Sequence, residues 1–132
     1  MSDLTLSYGY PKIGPNRELK WAVEKYWKGQ LSRQELDQAA KDVNWSRIKR
    51  QKEAGIDLIT SNDFSLYDQM LDHSLMFGVI PERFKNLSDD LDLYFGMARG
   101  TKEAVASDMT KWFDTNYHYI VPELDGNFQL RQ

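Results

Sequence analysis

Residues 4–20 read Leu4-Thr5-Leu6-Ser7-Tyr8-Gly9-Tyr10-Pro11-Lys12-Ile13-Gly14-Pro15-Asn16-Arg17-Glu18-Leu19-Lys20, and this stretch decides the start of the fold. Alternating apolar and polar side chains over residues 4–8 predict a strand. The glycines and prolines that follow predict a turn. Apolar side chains then recur at helical spacing, so residues 17–28 are predicted to form a helix whose apolar stripe is Leu19, Ala22, Val23, Tyr26 and Trp27. The chain is therefore expected to open with a strand, a turn and a helix.

Positive charge lies at the start of this predicted helix. Asn16 is a typical N-cap residue, and Arg17 and Lys20 are three positions apart in the first turn, on one face of the helix. Cations at this end oppose the helix macrodipole, but they also lie beside free N–H groups that can bind an anion. The sequence therefore predicts either an anion-binding face or two ordinary solvated side chains, and this stretch alone does not choose between them.

Composition limits the classes of function. The length of 132 residues suits one domain, and the net charge of −3 argues against a nucleic-acid partner. The chain has no cysteine, which excludes disulfides and thiolate metal sites. No signal peptide is recognisable at the start, and no apolar run is long enough for a membrane helix. We therefore expect a soluble, cytoplasmic protein without a membrane partner.

The rest of the chain alternates between predicted helices and strands. A capping box at Ser32-Arg33-Gln34-Glu35 opens a helix over residues 33–54. Its buried stripe is predicted to consist of Leu36, Ala39, Ala40, Val43, Arg47 and Ile48. The further predicted helices cover residues 64–77, a short segment that Ser88-Asp89-Asp90 caps and Gly100 breaks, and residues 102–113. The further predicted strands cover residues 56–60, 117–121 and 128–130.

This alternation predicts an α/β fold with parallel strands, in which binding residues gather at the carboxyl ends of the strands. The turn after the first strand and Ser61-Asn62-Asp63 after the second are both expected at that end. The late helical run Arg47-Ile48-Lys49-Arg50-Gln51-Lys52 has two interpretations, a nucleic-acid patch or a solvated face that complements the helix dipole, and the second is favoured.

Residues with catalytic potential are few. His73 is predicted to be solvated or hydrogen-bonded in a helix, and His118 could be a core or a site residue. Two distant histidines without cysteines do not predict a zinc site. Asp63 at a strand end could be catalytic, although N-capping of the next helix explains it without chemistry. The residues thus predict an anion-binding face and no catalytic set.

Several segments together resemble cobalamin-independent methionine synthase, in the order that this family has. They are Gly9-Tyr10-Pro11-Lys12-Ile13-Gly14 with Asn16-Arg17-Glu18-Leu19-Lys20, Tyr26-Trp27-Lys28-Gly29, Gln51-Lys52-Glu53-Ala54-Gly55-Ile56-Asp57, Asn62-Asp63-Phe64-Ser65-Leu66-Tyr67-Asp68, Gly78-Val79-Ile80-Pro81-Glu82-Arg83, and Met109-Thr110-Lys111-Trp112-Phe113-Asp114-Thr115-Asn116-Tyr117-His118-Tyr119. Each is a modest signal, whereas together they cover nearly the whole chain and are highly specific.

The resemblance implies an enzyme of methionine biosynthesis, a methyltransferase that needs no cobalamin. It transfers a methyl group from 5-methyltetrahydrofolate polyglutamate to homocysteine, and its members have two (β/α)8 barrels. Zinc and homocysteine bind in the C-terminal barrel, and the N-terminal barrel helps to hold the polyglutamate tail of the folate. By this resemblance, the tail-binding residues are Arg17, Glu18, Leu19, Lys20 and Lys111.

Family members are several times longer than this chain. The resemblance therefore implies that residues 1–132 form the N-terminal portion of the folate-tail-binding barrel domain, with the catalytic C-terminal barrel absent. The expected fold is a partial (β/α)8 TIM-type barrel with about three parallel strands and several helices. We expect no catalytic residue, no zinc ligand and no homocysteine contact in this chain, and no methyltransferase activity when it is isolated.

Two further expectations concern partners. A partial barrel leaves strand edges unpaired, and such edges recruit other chains, so a homo-oligomer is expected. The alternative to an enzyme segment is a stand-alone, non-catalytic binding or interaction module derived from the same enzyme.

Overall fold

The computed structural model describes residues 3–126, which divide into two compact units, residues 3–66 and residues 67–126. The first unit contains β1 (Leu6–Ser7), α1 (Glu18–Trp27), α2 (Arg33–Glu53) and β2 (Leu58–Ile59). The second contains α3 (Gln69–Met76), a 3₁₀ turn (Glu82–Phe84), α4 (Asp90–Arg99), β3 (Met109–Lys111) and β4 (His118–Ile120). No helix in the described part of the chain is long and apolar enough to cross a membrane.

The first unit pairs a short parallel sheet with a helical hairpin. β1 and β2 are parallel, with Leu6 opposite Leu58. Helices α1 and α2 pack together through the apolar stripes that the sequence predicts, and Leu19 and Leu36 are buried in that core. The capping box of α2 is confirmed, because Ser32 Oγ accepts a hydrogen bond from the Glu35 amide and the Glu35 carboxylate accepts one from the Ser32 amide.

The second unit is built around α4. Seven of its ten residues are buried, including Leu93, Phe95 and Met97. Asp89 caps its N-terminus by accepting hydrogen bonds from the Leu91 and Asp92 amides. Helix α3 packs against α4 and against β4, and the hairpin of β3 and β4 completes the unit.

The fold class is confirmed as mixed α/β, but the three parallel strands are not confirmed. Among residues 3–126, only β1 and β2 pair in parallel. The strand predicted over residues 117–121 exists as β4, but it pairs antiparallel with β3, with Lys111 opposite His118. The strand predicted at residues 128–130 lies outside the described part of the chain.

The helix predicted over residues 102–113 is wrong. Gly100, at φ 77°, ends α4, and Thr101 Oγ1 accepts hydrogen bonds from the Glu103 and Ala104 amides, which forms a turn. The Ser107 amide then bonds to the Met97 carbonyl, so this segment runs back along α4. Residues 109–111 pair with β4 instead of coiling, because the hairpin supplies their amides and carbonyls with partners.

The helix predicted over residues 64–77 is shorter than expected. Its N-cap is Asp68, whose side chain accepts a hydrogen bond from the Leu71 amide, and the helix begins at Gln69. The prediction that Asp63 is the cap is therefore wrong. Asp63 instead binds Arg47, a contact described below.

Candidate functional site

The turn between β1 and α1 brings the predicted anion-binding residues to the start of α1. Arg17, rather than Asn16, is the N-cap residue, and it adopts a left-handed backbone conformation with φ 61°. Two hydrogen bonds close the turn, from the Arg17 amide to the Gly14 carbonyl and from the Leu19 amide to the Ile13 carbonyl, both at 3.1 Å. The prediction that Asn16 is the N-cap is therefore wrong.

At the start of α1, hydrogen bonds are accepted by the Glu18 carboxylate instead of the Asn16 side chain. Glu18 Oε2 accepts a hydrogen bond from the Asn16 amide at 3.0 Å, and Glu18 Oε1 accepts one from Asn16 Nδ2 at 3.3 Å. The hydrogen bond from its own amide, and then those from Asn16, hold the pKa of Glu18 below its ordinary value. The helix N-terminus therefore already carries an ionised acid, and its N–H groups are not all free for a ligand.

Gly14 is what makes room for that carboxylate. Its φ of 86° lies in the left-handed region, and a Cβ atom at this position would overlap the Glu18 carboxylate. A residue with a side chain would therefore be strained and would displace Glu18.

The cations of this turn are exposed. Arg17 is exposed, whereas Lys20 also contacts its own helix: its Nζ is 3.8 Å from Glu24 Oε1 and 5.1 Å from the centre of the Trp21 ring. The Leu19 side chain is only 1% exposed and belongs to the core. The predicted set thus separates into two accessible cations, one carboxylate that caps the helix, and one core residue.

Lys111 belongs to the second unit and lies on β3, not near the end of a helix as the sequence predicts. Its partner across the hairpin is His118, and both residues are exposed. The following residues carry an aromatic cluster: the Trp112 ring makes edge-to-face contacts with Phe113, at 5.1 Å between centroids, and with Tyr119, at 5.5 Å. Lys111 is therefore a surface cation next to exposed aromatic surface.

Arg47 and Asp63 form a partly buried ion pair whose role the sequence analysis did not predict. Arg47 is only 4% exposed, and its Nη1 and Nη2 atoms donate to both carboxylate oxygens of Asp63. Nη2 also donates to the Tyr10 carbonyl at 2.8 Å, and Nη1 donates to Asn44 Oδ1 at 3.0 Å. The hydrogen bonds from Arg47 hold the pKa of Asp63 below its ordinary value. The sequence did indicate that Arg47 is buried, because Arg47 continues the apolar stripe of α2.

A cavity of about 550 Å³ lies between the turn and the outer face of α2. It is lined by Tyr10, Pro11, Pro15, Glu18, Val43 and Arg50, among others. Neither Arg17 nor Lys20 lines it. The exposed cations and the cavity are therefore separate features of the first unit.

The described residues include no group of three or more acidic or histidine side chains that could hold a metal ion. His73 Nδ1 lies 2.7 Å from the Gln69 carbonyl within α3, and His118 Nδ1 lies 3.2 Å from the Asn116 carbonyl. Within residues 3–126, each histidine is thus hydrogen-bonded locally, and neither belongs to a group that could hold a metal ion.

Comparisons with known proteins agree on one family. Residues 4–132 match the family described as the N-terminal domain of cobalamin-independent synthase. Three similar proteins are named 5-methyltetrahydropteroyltriglutamate–homocysteine methyltransferase: those of Thermodesulfovibrio yellowstonii (54% identical, 97% of this chain), Desulforamulus reducens (55%, 96%) and Streptomyces coelicolor (56%, 89%). The matches cover 17%, 17% and 15% of these relatives. The chain therefore belongs to the cobalamin-independent methionine synthase family and corresponds to its N-terminal domain.

Proposed function

We propose that this chain is the N-terminal segment of a methyltransferase that moves a methyl group from 5-methyltetrahydrofolate polyglutamate to homocysteine. The observation that carries the proposal is identity of 54–56% to relatives whose name states this reaction and specifies a triglutamate. The chain spans about a sixth of the length of those relatives, at 17% for the first two. In this proposal, the segment supplies part of the tail site, and the chemistry belongs to the rest of the enzyme.

The properties of the tail-binding candidates support this role. A polyglutamate tail is flexible and carries several carboxylates, so it is best held by separate cations on an open surface. Arg17, Lys20 and Lys111 are such exposed cations. Glu18 occupies the helix N-terminus and is kept ionised, so the tail would bind to the cationic side chains rather than to the N–H groups there.

The tail site can be tested by calorimetry with monoglutamyl and triglutamyl 5-methyltetrahydrofolate. We expect the triglutamate to bind more tightly, with a difference that shrinks as salt rises because exposed charges are screened. Arg17→Ala and Lys111→Ala should each lower the ratio of the two affinities by about three- to fivefold. Lys102→Ala, which removes an exposed lysine from a loop, is the matched control and should leave the ratio unchanged. Equal affinity of the wild-type chain for both ligands would refute the tail site.

The isolated chain is proposed to be catalytically inactive, since its role is to position the ligand. Chain incubated with zinc, triglutamyl methyltetrahydrofolate and homocysteine should produce no methionine above a protein-free control. Methionine that forms in proportion to the protein concentration would contradict this proposal.

A second candidate function, an interaction module, is favoured by the surface of the first unit. Leu6 and Leu58 face each other across β1 and β2, yet both are about half exposed, and Tyr8 is 93% exposed. Apolar sheet surface of this kind, next to unpaired strand edges, favours self-association. A second copy of the chain is the proposed partner. Light scattering at micromolar concentration should give a mass above that of the monomer, and Leu6→Lys should restore the monomer; a wild-type monomer would exclude this candidate.

A further inference from the structure

Arg47 joins three parts of the first unit that are distant in sequence. It projects from α2, donates to both oxygens of Asp63 just after β2, and donates to the Tyr10 carbonyl just after β1. The carboxyl ends of two parallel strands are thus fastened to one side chain, and sites in α/β folds are built at such ends. The Tyr10 carbonyl belongs to the turn that carries Arg17 and Lys20.

We propose that Arg47 is a positioning residue of the tail site, which fixes the turn over residues 9–16 and thereby the place of Arg17 and Lys20. The inference rests on the proposed function for its ligand, and on the geometry of the first unit for its mechanism. Arg47 does not touch the ligand in this proposal; it acts through the backbone of the turn.

Other hydrogen bonds also tie the turn to the rest of the unit, among them one between the Tyr10 backbone and the Asp63 carboxylate. Lys12 Nζ donates to Ser65 Oγ at 3.0 Å, and the Tyr10 hydroxyl lies 3.4 Å from Arg50 Nη1, a long hydrogen bond on the exposed side. The remaining bonds, such as Arg17 amide to Gly14 carbonyl, are local to the turn itself. Local bonds shape a turn but do not fix it relative to a sheet. Arg47 is central to these longer-range bonds, because it binds both the Tyr10 carbonyl and the Asp63 carboxylate, to which the Tyr10 backbone also bonds.

The chemistry of the side chain explains why arginine stands here. A planar guanidinium can bind both oxygens of a carboxylate and, with the remaining N–H groups, a carbonyl and an amide oxygen at the same time. A lysine ammonium at this position would keep the charge but could not match that fork, so the Tyr10 carbonyl would lose its donor or Asp63 one of its two bonds. An apolar residue would leave the Asp63 carboxylate without its counter-ion. Arg47→Lys is thus the variant that separates geometry from charge.

The first readout is amide hydrogen exchange by NMR, which needs no ligand. The amides to follow are those of Arg17 and Leu19, whose hydrogen bonds close the turn. In Arg47→Lys and Asp63→Asn we expect their exchange to accelerate at least tenfold, while the amides of Leu36 and Ala40 inside α2 keep their protection. Unchanged exchange at Arg17 and Leu19 in both variants overturns the proposal.

The second readout is the ratio of triglutamate to monoglutamate affinity. A general loss of folded protein lowers both affinities by the same factor and so leaves this ratio unchanged. Arg47→Lys should lower this ratio by as much as Arg17→Ala does. Two controls isolate the effect: Lys52→Met removes an exposed charge from the same helix, and Ala40→Gly weakens the buried side of α2 without touching Arg47. Both controls should keep the wild-type ratio.

The two readouts separate failure of this inference from failure of the proposed function. A wild-type chain that binds both folates equally refutes the tail site, and the exchange data then decide alone whether Arg47 fixes the turn. A wild-type preference for the triglutamate that survives Arg47→Lys overturns the positioning role. The positioning role is also overturned if Ala40→Gly lowers the triglutamate preference as much as Arg47→Lys does. The loss of preference would then reflect general stability.

Discussion

Two acids, the half-buried Asp63 in the first unit and the buried Asp68 in the second, are satisfied in opposite ways. Asp63 faces a full positive charge, because both of its oxygens accept hydrogen bonds from the Arg47 guanidinium. Asp68 accepts only from neutral donors: the Tyr117 hydroxyl at 2.5 Å, the Leu71 amide at 3.0 Å and the Ile120 amide at 3.1 Å. Asp63 is thus satisfied by a charge pair, whereas Asp68 is satisfied by neutral hydrogen-bond donors.

This difference predicts which substitutions the surroundings of each acid tolerate. When one partner of an ion pair shielded from water is removed, the other charge is left without a counter-ion, so the two residues depend on each other. In a network of neutral donors, the loss is spread over several bonds of modest strength, and each donor can be tested separately. The Asp63 site should therefore respond to loss of charge, and the Asp68 site to loss of hydrogen-bonding capacity.

The largest effect is expected from Asp63→Ala, which leaves the Arg47 guanidinium buried and unpaired. We expect the free energy of unfolding to fall by about 3–4 kcal/mol in urea denaturation followed by circular dichroism. The double variant with Arg47→Met should lose less than the sum of the two single losses. Asp37→Ala, at an exposed position of α2, is the control and should change stability by less than about 0.5 kcal/mol. Additive losses in the double variant would show that the pair is not coupled.

A smaller loss, about 2–3 kcal/mol, is expected for Asp68→Ala. This change removes the cap of α3 and leaves the Ile120 amide buried without an acceptor. Asp68→Asn retains one carbonyl oxygen and can still cap the helix, so it should lose only about half as much. The comparison between the two units breaks down if Asn and Ala are equally damaging, because charge rather than hydrogen bonding would then govern Asp68 as well.

Tyr117→Phe should cost about 1 kcal/mol, measured by the same denaturation. It deletes one of the three bonds to Asp68 and leaves the ring in place. Tyr119→Phe removes the hydroxyl of the neighbouring tyrosine in β4. That hydroxyl makes no hydrogen bond to Asp68, so this change should have almost no effect on stability. A loss for Tyr119→Phe as large as that for Tyr117→Phe would argue that the hairpin, not the bond, is being tested.

Asp63 and Tyr117 should affect stability at opposite ends of the pH scale, with the smallest effects of this series. The pKa of Asp63 is lowered in the folded chain, so its contribution to stability is present above its ordinary value of 3.8 and is lost as pH falls through the lower folded value. Burial and the bond to Asp68 raise the pKa of Tyr117, so its contribution is present below 10.0 and is lost as pH rises beyond it.

Unfolding curves measured from pH 2 to pH 11 would check this prediction. Asp63→Asn should flatten the acid limb and leave the alkaline limb unchanged, whereas Tyr117→Phe should do the reverse. A variant that alters both limbs equally would contradict the assignment of Asp63 to the acid limb and of Tyr117 to the alkaline limb.

Elements with a strong local signature could be predicted from the sequence. Ser32 and Glu35 predicted the start of α2, and the structure confirms it, because both partners of a capping box lie within four residues. The apolar spacing of Leu19, Ala22 and Val23 likewise predicted the buried face of α1. These features need no knowledge of the rest of the fold.

Features that depend on distant partners could not be predicted. The spacing of Val105, Met109 and Trp112 is helical, yet the β4 strand takes residues 109–111 into a hairpin. Strand β4 was expected, but its antiparallel partner was not, since alternation in one strand says nothing about the direction of its neighbour. Arg47 was placed in the buried stripe, but its partner Asp63 was assigned to a cap, because the pairing joins residues 16 positions apart.

The space left by Gly14 has a consequence for how sequences of this family can vary. The Glu18 carboxylate fills the volume where a side chain at position 14 would lie, so the two positions behave as one inherited unit. A lineage that exchanges Gly14 for Asn, which tolerates a left-handed backbone, would have to rotate the Glu18 carboxylate away from the Asn16 amide or replace it. We therefore expect positions 14 and 18 to covary across the family, with Glu at 18 found where 14 is Gly.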